Sequence, residues 1–190
     1  MSQELVVCSV ADGLCTIALN RPEKLNALSV ESFRQLDIHL RAIDPEQVGC
    51  VLLTGNGRSF CAGHDLDDLA SGAEGMEAAR FETNVIEHLA TLPMPVVAAV
   101  RGHCYTGGLE LVLGADIIIA SENAKFADTH AKWDLVPVWG LTQRLPRRVG
   151  PHKAKEMMFS SRTYSGAEAA AMGLANFCLP DGEFDAGVAA

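Results

Sequence analysis

Val96-Val-Ala-Ala-Val-Arg-Gly-His-Cys-Tyr-Thr-Gly-Gly-Leu-Glu-Leu-Val-Leu113 is the stretch that decides the fold. Five apolar residues after Pro93 and Pro95, Val96–Val100, predict a buried strand. The glycine-rich loop 101–108 follows it and opens a helix over 109–113, and 116–120 reads as the next strand. Upstream the order repeats. Residues 48–54 read as a buried strand that runs into Gly55-Asn-Gly-Arg-Ser-Phe-Cys-Ala-Gly63 and an acidic stretch, then a helix over about 75–91 with Val85, Ile86 and Leu89 on its apolar face. Twice a buried strand ends in a glycine loop. Such loops let main-chain N–H groups approach a ligand without obstruction by side chains, and a helix start leaves several of those donors unpaired.

Further toward the N-terminus, 4–10 and 14–20 are rich in Val, Ile, Leu and Thr and are separated by Asp12-Gly13, which predicts a hairpin. Val30, Phe33, Leu36, Leu40 and Ile43 recur at steps of three and four, with Ser29 as N-cap and Pro45 just past the end, which predicts an amphipathic helix. No linker, low-complexity segment or charge block divides the chain. The reading is one α/β domain over 1–190, built of stacked ββα units.

Composition narrows the function classes. The chain has 190 residues, 48% apolar and 21% charged, which excludes disorder for most of its length. A net charge of −9 opposes binding to nucleic acid or to an anionic membrane, although a local basic island can still hold a small anion. The longest apolar stretch, 111–120, is ten residues long and contains Asp116, well short of the roughly 20 residues that span a bilayer. Met-Ser-Gln-Glu-Leu at the start lacks the basic and apolar regions of a secretory signal. The cysteines at 8, 15, 50, 61, 104 and 178 include no C-x-x-C pair, which suits reduced thiols in a cytoplasmic protein without disulfides or structural zinc.

Familiar signatures fail residue by residue. Gly55-x-Gly57-x-x-Phe60 lacks the third glycine of a dinucleotide fingerprint, and no phosphate loop is present. Gly57-Arg-Ser59-Phe-Cys61 lacks the second glycine of a nucleophile elbow, and no Cys/His set has zinc spacing. What stands out is Glu110, a carboxylate on the first turn of an otherwise apolar helix. Burial there favours its neutral form and raises its pKa toward general acid/base use. The alternative is a helix-start glutamate held by the macrodipole or by a buried basic partner.

Six blocks, in order, resemble the crotonase (enoyl-CoA hydratase/isomerase) family. They are Arg21-Pro-Glu-Lys-Leu-Asn-Ala-Leu28, Ser59-Phe-Cys-Ala-Gly-His-Asp-Leu66, Pro95-Val-Val-Ala-Ala-Val-Arg-Gly102, Gly107-Gly-Leu-Glu-Leu-Val-Leu113, Ala115-Asp-Ile-Ile-Ile-Ala120 and Thr142-Gln-Arg-Leu-Pro-Arg147. The resemblance implies a ClpP/crotonase-like spiral of repeated ββα units. It further implies a CoA thioester whose carbonyl oxygen is held by the backbone N–H groups of His64 and Gly107, an oxyanion hole in which each donor is worth roughly 2.7–4 kcal/mol. Ala62, His64, Asp65, Leu66, Asp67 and Gly107 are the implied substrate contacts, and Lys24 lies toward the nucleotide part. The His64 imidazole is expected to point to solvent while its main chain does the work. Coenzyme A enters as part of the substrate, and neither a separate cofactor nor a metal is implied. A homotrimer or dimer of trimers is the implied assembly.

The sequence departs from the family pattern in three places. Hydratases of the family carry a second glutamate in a segment of the form F-x-x-P-E. Here that segment is Phe126-Ala-Asp-Thr-His130, which puts His130 at the glutamate's position. His130 is either an acid/base partner oriented by Asp128 or a polar pocket residue without a proton-transfer role. Val138-Trp139-Gly140-Leu141 replaces a run of small residues, so Trp133 and Trp139 either narrow the acyl pocket or belong to the core. Family members continue with C-terminal helices that cover the pocket and build the trimer, whereas here 174–179 reads as a strand and the given sequence runs only to Ala190, so those helices are expected to be missing from it. The island from Arg144 to Arg162 sets Arg144, Arg147, Arg148, Lys153, Lys155 and Arg162 against Glu156, and serves either CoA phosphates or an ordinary helical surface or subunit contact.

The expectation is therefore an enoyl-CoA hydratase, with Glu110 as principal acid/base and His130 as its second group. Isomerisation, thioester hydrolysis or decarboxylation on the same fold is the first rival, and a non-catalytic acyl-CoA-binding protein the second.

Overall fold

The computed structural model describes residues 4–65 and 75–190. Strands β1 (Val6–Ala11) and β2 (Leu14–Leu19) pair antiparallel with Ala11 opposite Leu14, leaving Asp12 and Gly13 as a two-residue turn. Their φ angles of 51° and 80° match the strand twist, as the Asp-Gly pair predicts. Helix α1 (Val30–Arg41) buries Phe33, Leu36 and Leu40. Ser29 Oγ accepts from the Ser32 N–H at 3.1 Å, and Ser32 Oγ accepts from the Ser29 N–H at 3.3 Å, closing a reciprocal cap. Ser29→Ala is expected to cost about 1 kcal/mol, read as a lower urea midpoint with an unchanged slope.

From β3 (Cys50–Gly55) onward the chain alternates between two sheets. Helix α2 (Met76–Ala90) leads to β4 (Val96–Val100), then β5 (His103–Tyr105) and α3 (Gly107–Val112). Next come β6 (Ile117–Ser121), β7 (Lys125–Ala127), a 3-10 turn (His130–Trp133), α4 (Leu141–Val149) and α5 (Pro151–Ser160). Strand β8 (Tyr164–Ser165), α6 (Gly166–Ala171), β9 (Phe177–Leu179) and α7 (Phe184–Ala189) complete the described chain. The larger sheet has the order β1-β2-β3-β4-β6-β9 and is parallel after the first hairpin. The smaller sheet has the order β5-β7-β8. Isolated parallel bridges, Leu28 to His64 and Cys61 to Cys104, continue the same layer beyond the smaller sheet. Each turn of the spiral thus gives a strand to the larger sheet and a short extended segment to the inner layer, then moves on through a helix.

Some boundaries differ from the sequence reading. The helix expected at 109–113 begins two residues earlier, because Thr106 takes the sharp turn and both glycines are free to be helical. The strand expected at 174–179 shortens to Phe177–Leu179, since Leu174 and Ala175 cap α6 by bonding to the Ala169 carbonyl. Helix α7 is an addition. It buries Phe184 under the Arg101 guanidinium, 4.8 Å from the ring centre, and Arg101 also pairs with Asp185. Among the described residues no helix is long and apolar enough to cross a membrane.

Candidate active site

Every residue of α3 is buried, so a carboxylate on it must find its partners inside the protein. Gly107 and Gly108 let the helix start press against two neighbours. A Cβ on Gly108 would lie 2.7 Å from the Cys61 carbonyl oxygen, and one on Gly107 would lie 2.4 Å from Cζ3 of Trp139. Thr106, just before them, has φ 51° and ψ −109°. A β-branched residue avoids that conformation, at a cost on the order of 1–3 kcal/mol. Its hydroxyl is tied to that of Thr129 and also accepts from the Thr129 N–H at 3.2 Å.

Glu110 is almost completely buried. Its Oε1 accepts from the Trp139 N–H at 2.8 Å and the Leu141 N–H at 3.2 Å, while Oε2 lies 3.6 Å from His130 Nε2. His130 Nδ1 is in turn 2.5 Å from Asp128 Oδ1, which also accepts the His130 N–H at 3.1 Å. Three buried groups therefore stand in a row, Asp128–His130–Glu110. Burial raises the Glu110 pKa from 4.5 to about 7, against the opposing pull of His130 and of the two backbone donors; Asp128 adds to the rise. A carboxyl poised near neutrality and in reach of an imidazole can both take and return a proton.

A cavity of about 240 Å³ adjoins these groups, lined by Glu110, His130, His64, Gly107, Thr106, Glu82 and Trp139, with Leu135, Val136 and Val138 on its apolar side. Glu82 is a residue the sequence reading missed. It is buried on α2, and its Oε2 accepts from the Trp139 indole Nε1 at 3.0 Å. A signal was present: Glu82 precedes Val85, Ile86 and Leu89 at helical spacing, which puts a carboxylate on the apolar stripe. Trp139 is buried between Phe33 and His64, with ring centres at 4.8 and 5.0 Å, and forms a cavity wall, whereas Trp133 is exposed.

His64 and Gly107 come together. A Cβ on Gly63 would lie 3.8 Å from the Gly107 nitrogen. The Gly63 carbonyl accepts from the Leu28 N–H at 2.8 Å, so the His64 N–H, on the opposite edge of the same planar peptide, points away from Leu28. The Thr106 carbonyl accepts from the Glu110 N–H at 2.9 Å, so by the same rule the Gly107 N–H points out of the helix. The His64 imidazole does not project into solvent as expected. It packs edge-on against Trp139 because the cavity offers an aromatic wall there, and its Nε2 is shielded from solvent.

A second cavity of about 620 Å³ shares His64, Thr106 and Leu135 with the first and adds Lys24, Ala62, Gly63, Asp65, Lys132 and Trp133. Buried Asp65 lies 2.5 Å from Arg21 Nη1 and 3.5 Å from Lys24 Nζ, which places its carboxylate in an ion-pair cluster. Lys132 is a cation of this cavity that the sequence reading did not single out. The expected contacts Leu66 and Asp67 lie outside the described residues. The Arg144–Arg162 island is absent from both cavities. Arg148 donates to the carbonyls of Ala115, Asp116 and Leu174; Arg144 pairs with Glu87, Lys153 with Glu156 and Arg162 with Glu168. Local carboxylates and carbonyls thus take up the charges of Arg144, Arg148, Lys153 and Arg162. Among the described residues no three His, Cys, Asp or Glu side chains are arranged to hold a metal ion.

Comparison with known proteins shows the family and the fold. Residues 9–188 match the family model for enoyl-CoA hydratase/isomerase. A probable peroxisomal enoyl-CoA hydratase of Arabidopsis thaliana is 36% identical over 185 residues, covering 96% of this chain and 69% of that protein. The 1,2-epoxyphenylacetyl-CoA isomerase of Escherichia coli K12 is 37% identical over 178 residues, covering 90% and 68% respectively. The solved structure of a Thermobifida fusca protein in complex with acetoacetyl-CoA superposes with a TM-score of 0.89 at 29% identity, covering 97% of this chain and 77% of that one.

Proposed function

The chain belongs to the enoyl-CoA hydratase/isomerase (crotonase) family, and from that membership we propose that it hydrates 2-enoyl-CoA thioesters. The observation that carries this reading is the buried Glu110–His130 pair beside the backbones of His64 and Gly107 in one cavity. The acyl group occupies the smaller cavity, and the rest of CoA extends through the larger one past Ala62, Asp65, Lys24 and Lys132. The thioester oxygen accepts from the His64 and Gly107 N–H groups, which stabilise the negative charge that develops on it. Glu110, as carboxylate, takes a proton from water as the water oxygen bonds to C3. The electron pair of the double bond moves to the thioester as an enolate, and a proton returned to C2 on the same face completes a syn addition. His130, oriented by Asp128, holds the water and stabilises the charge that Glu110 gains or loses.

Isomerisation is the second reading. It is favoured by the histidine at the place of the second glutamate, since a single carboxyl can move a proton between two carbons, and by the similarity to a protein named as an isomerase. Mass analysis of the products from crotonyl-CoA and from a 3-enoyl-CoA separates the two. Hydration is expected to add one water to crotonyl-CoA. A 3-enoyl-CoA converted without change of mass while crotonyl-CoA stays unhydrated would establish the isomerase, and release of free CoA would establish a hydrolase.

A further inference from the structure

Helix α2 grips the segment that aims Glu110. Glu82 takes the Trp139 indole N–H at 3.0 Å, and Thr83 Oγ1 lies 3.1 Å from the Val138 carbonyl while its one proton is shared with the Ala79 carbonyl at 2.7 Å. Arg144, paired with Glu87, donates to the Trp139 carbonyl at 2.9 Å. That segment then places the Trp139 and Leu141 N–H groups on Glu110 Oε1. The anchors are unequal. The Glu87 side chain is 62% exposed and its ion pair is screened by water, whereas the Glu82–Trp139 bond is buried at both ends. A carboxylate on the apolar face of α2 costs more to bury than an alkyl side chain of the same size. Its placement makes sense as a means of locating the indole.

We propose that Glu82 is a positioning residue: by holding the Trp139 indole it keeps the Trp139 and Leu141 N–H groups on the Glu110 carboxylate and so fixes that carboxylate for reaction. The effect on turnover rests on the proposed role of Glu110, whereas the effect on the carboxyl itself does not. Both backbone donors favour ionised Glu110, so loosening them raises the pH at which it loses its proton. The other titratable groups facing Glu110 are His130 and Asp128 from the segment after β7, His64 from the inner layer and Glu82 itself, lining the same cavity.

The test compares Glu82→Leu with Glu82→Gln. Both remove the charge, but only Gln keeps an acceptor for the indole N–H. The Glu110 carboxyl is titrated by carbon-13 NMR, its signal identified by its loss in Glu110→Gln, and turnover of crotonyl-CoA is measured alongside. Glu82→Leu is expected to raise the Glu110 midpoint by about one pH unit, the size of one weakened hydrogen bond to a charged group. It is also expected to lower kcat about tenfold while KM stays within about threefold. Glu82→Gln is expected to return the midpoint and most of kcat. Trp139→Phe deletes the same bond from its other end, is expected to move the midpoint in the same direction, and decides the matter if Glu82→Leu does not fold. Equal midpoints and equal kcat in the Leu and Gln variants, or an unmoved midpoint in Trp139→Phe, would overturn the proposal. A midpoint that moves without any change in turnover would uphold the positioning role and overturn the role of Glu110.

Discussion

Glu110→Gln is expected to lower hydration of crotonyl-CoA by about a thousandfold, within the range that a positioned acid/base contributes, while leaving CoA affinity nearly unchanged. The amide oxygen can still accept from Trp139 and Leu141, so the loss is one of proton transfer rather than of shape. In the wild-type protein the same group sets the acidic limb of kcat/KM, because water is activated by the carboxylate; activity therefore rises with pH through about 7. Steady-state rates across pH 5–9 for both proteins check the two statements together. Near-normal turnover in the variant would sink the assignment.

The variant also carries a stability signature of opposite sign. In the native protein Glu110 keeps its proton up to about pH 7, whereas the unfolded chain releases it near 4.5. Between those values the native state binds more protons, so stability falls as pH rises, and the full cost is present above 7. Two and a half pH units correspond to roughly 3 kcal/mol. Urea denaturation should therefore show Glu110→Gln more stable than wild type at pH 8 by up to that amount, with the advantage gone below pH 4.5. An equal difference at both pH values would show that the carboxyl is not held at a raised pKa.

Gly107→Ala carries the second large effect. The added methyl would lie 2.4 Å from Cζ3 of Trp139, with two more ring atoms at 3.2 and 3.3 Å. The indole has little room to swing away, being packed on Phe33 and His64 and bonded to Glu82. Either the start of α3 shifts, which displaces the Gly107 N–H, or Trp139 shifts, which pulls its own N–H off Glu110. Both outcomes are expected to cut kcat by about 100-fold or more. Overpacking should also cost about 1–3 kcal/mol in denaturation. Full turnover in a variant with that stability loss would mean that neither backbone donor takes part in the reaction.

Much of the architecture was legible because it is written in local chemistry. Asp12-Gly13 can take positive φ angles, so the hairpin follows from two residues. The spacing of Phe33, Leu36 and Leu40 behind Ser29 determines both the face and the start of α1. Glu110 was conspicuous as a charge in an apolar helix, and the ordered blocks from Arg21 to Arg147 pointed to the family before any geometry.

What surrounds Glu110 was another matter. Its backbone donors lie 29 and 31 residues away, and Glu82 reaches Trp139 across 57. Periodicity shows which side of an element is buried but not what that side meets. The basic island stayed open between two readings for the same reason, since a run of cations in sequence says nothing of the carboxylates and carbonyls that folding brings to it. Sequence alone determined the succession of strands, glycine loops and helices and marked the carboxyl among them, because both are encoded within a few turns of chain, while the spiral followed from the resemblance to the family. Only the tertiary structure decided that Trp139, Leu141 and Glu82 stand around that carboxyl and put His130, the expected second group, 3.6 Å from it, because long-range packing and exclusion of water set the direction of its hydrogen bonds and the pH at which it ionises.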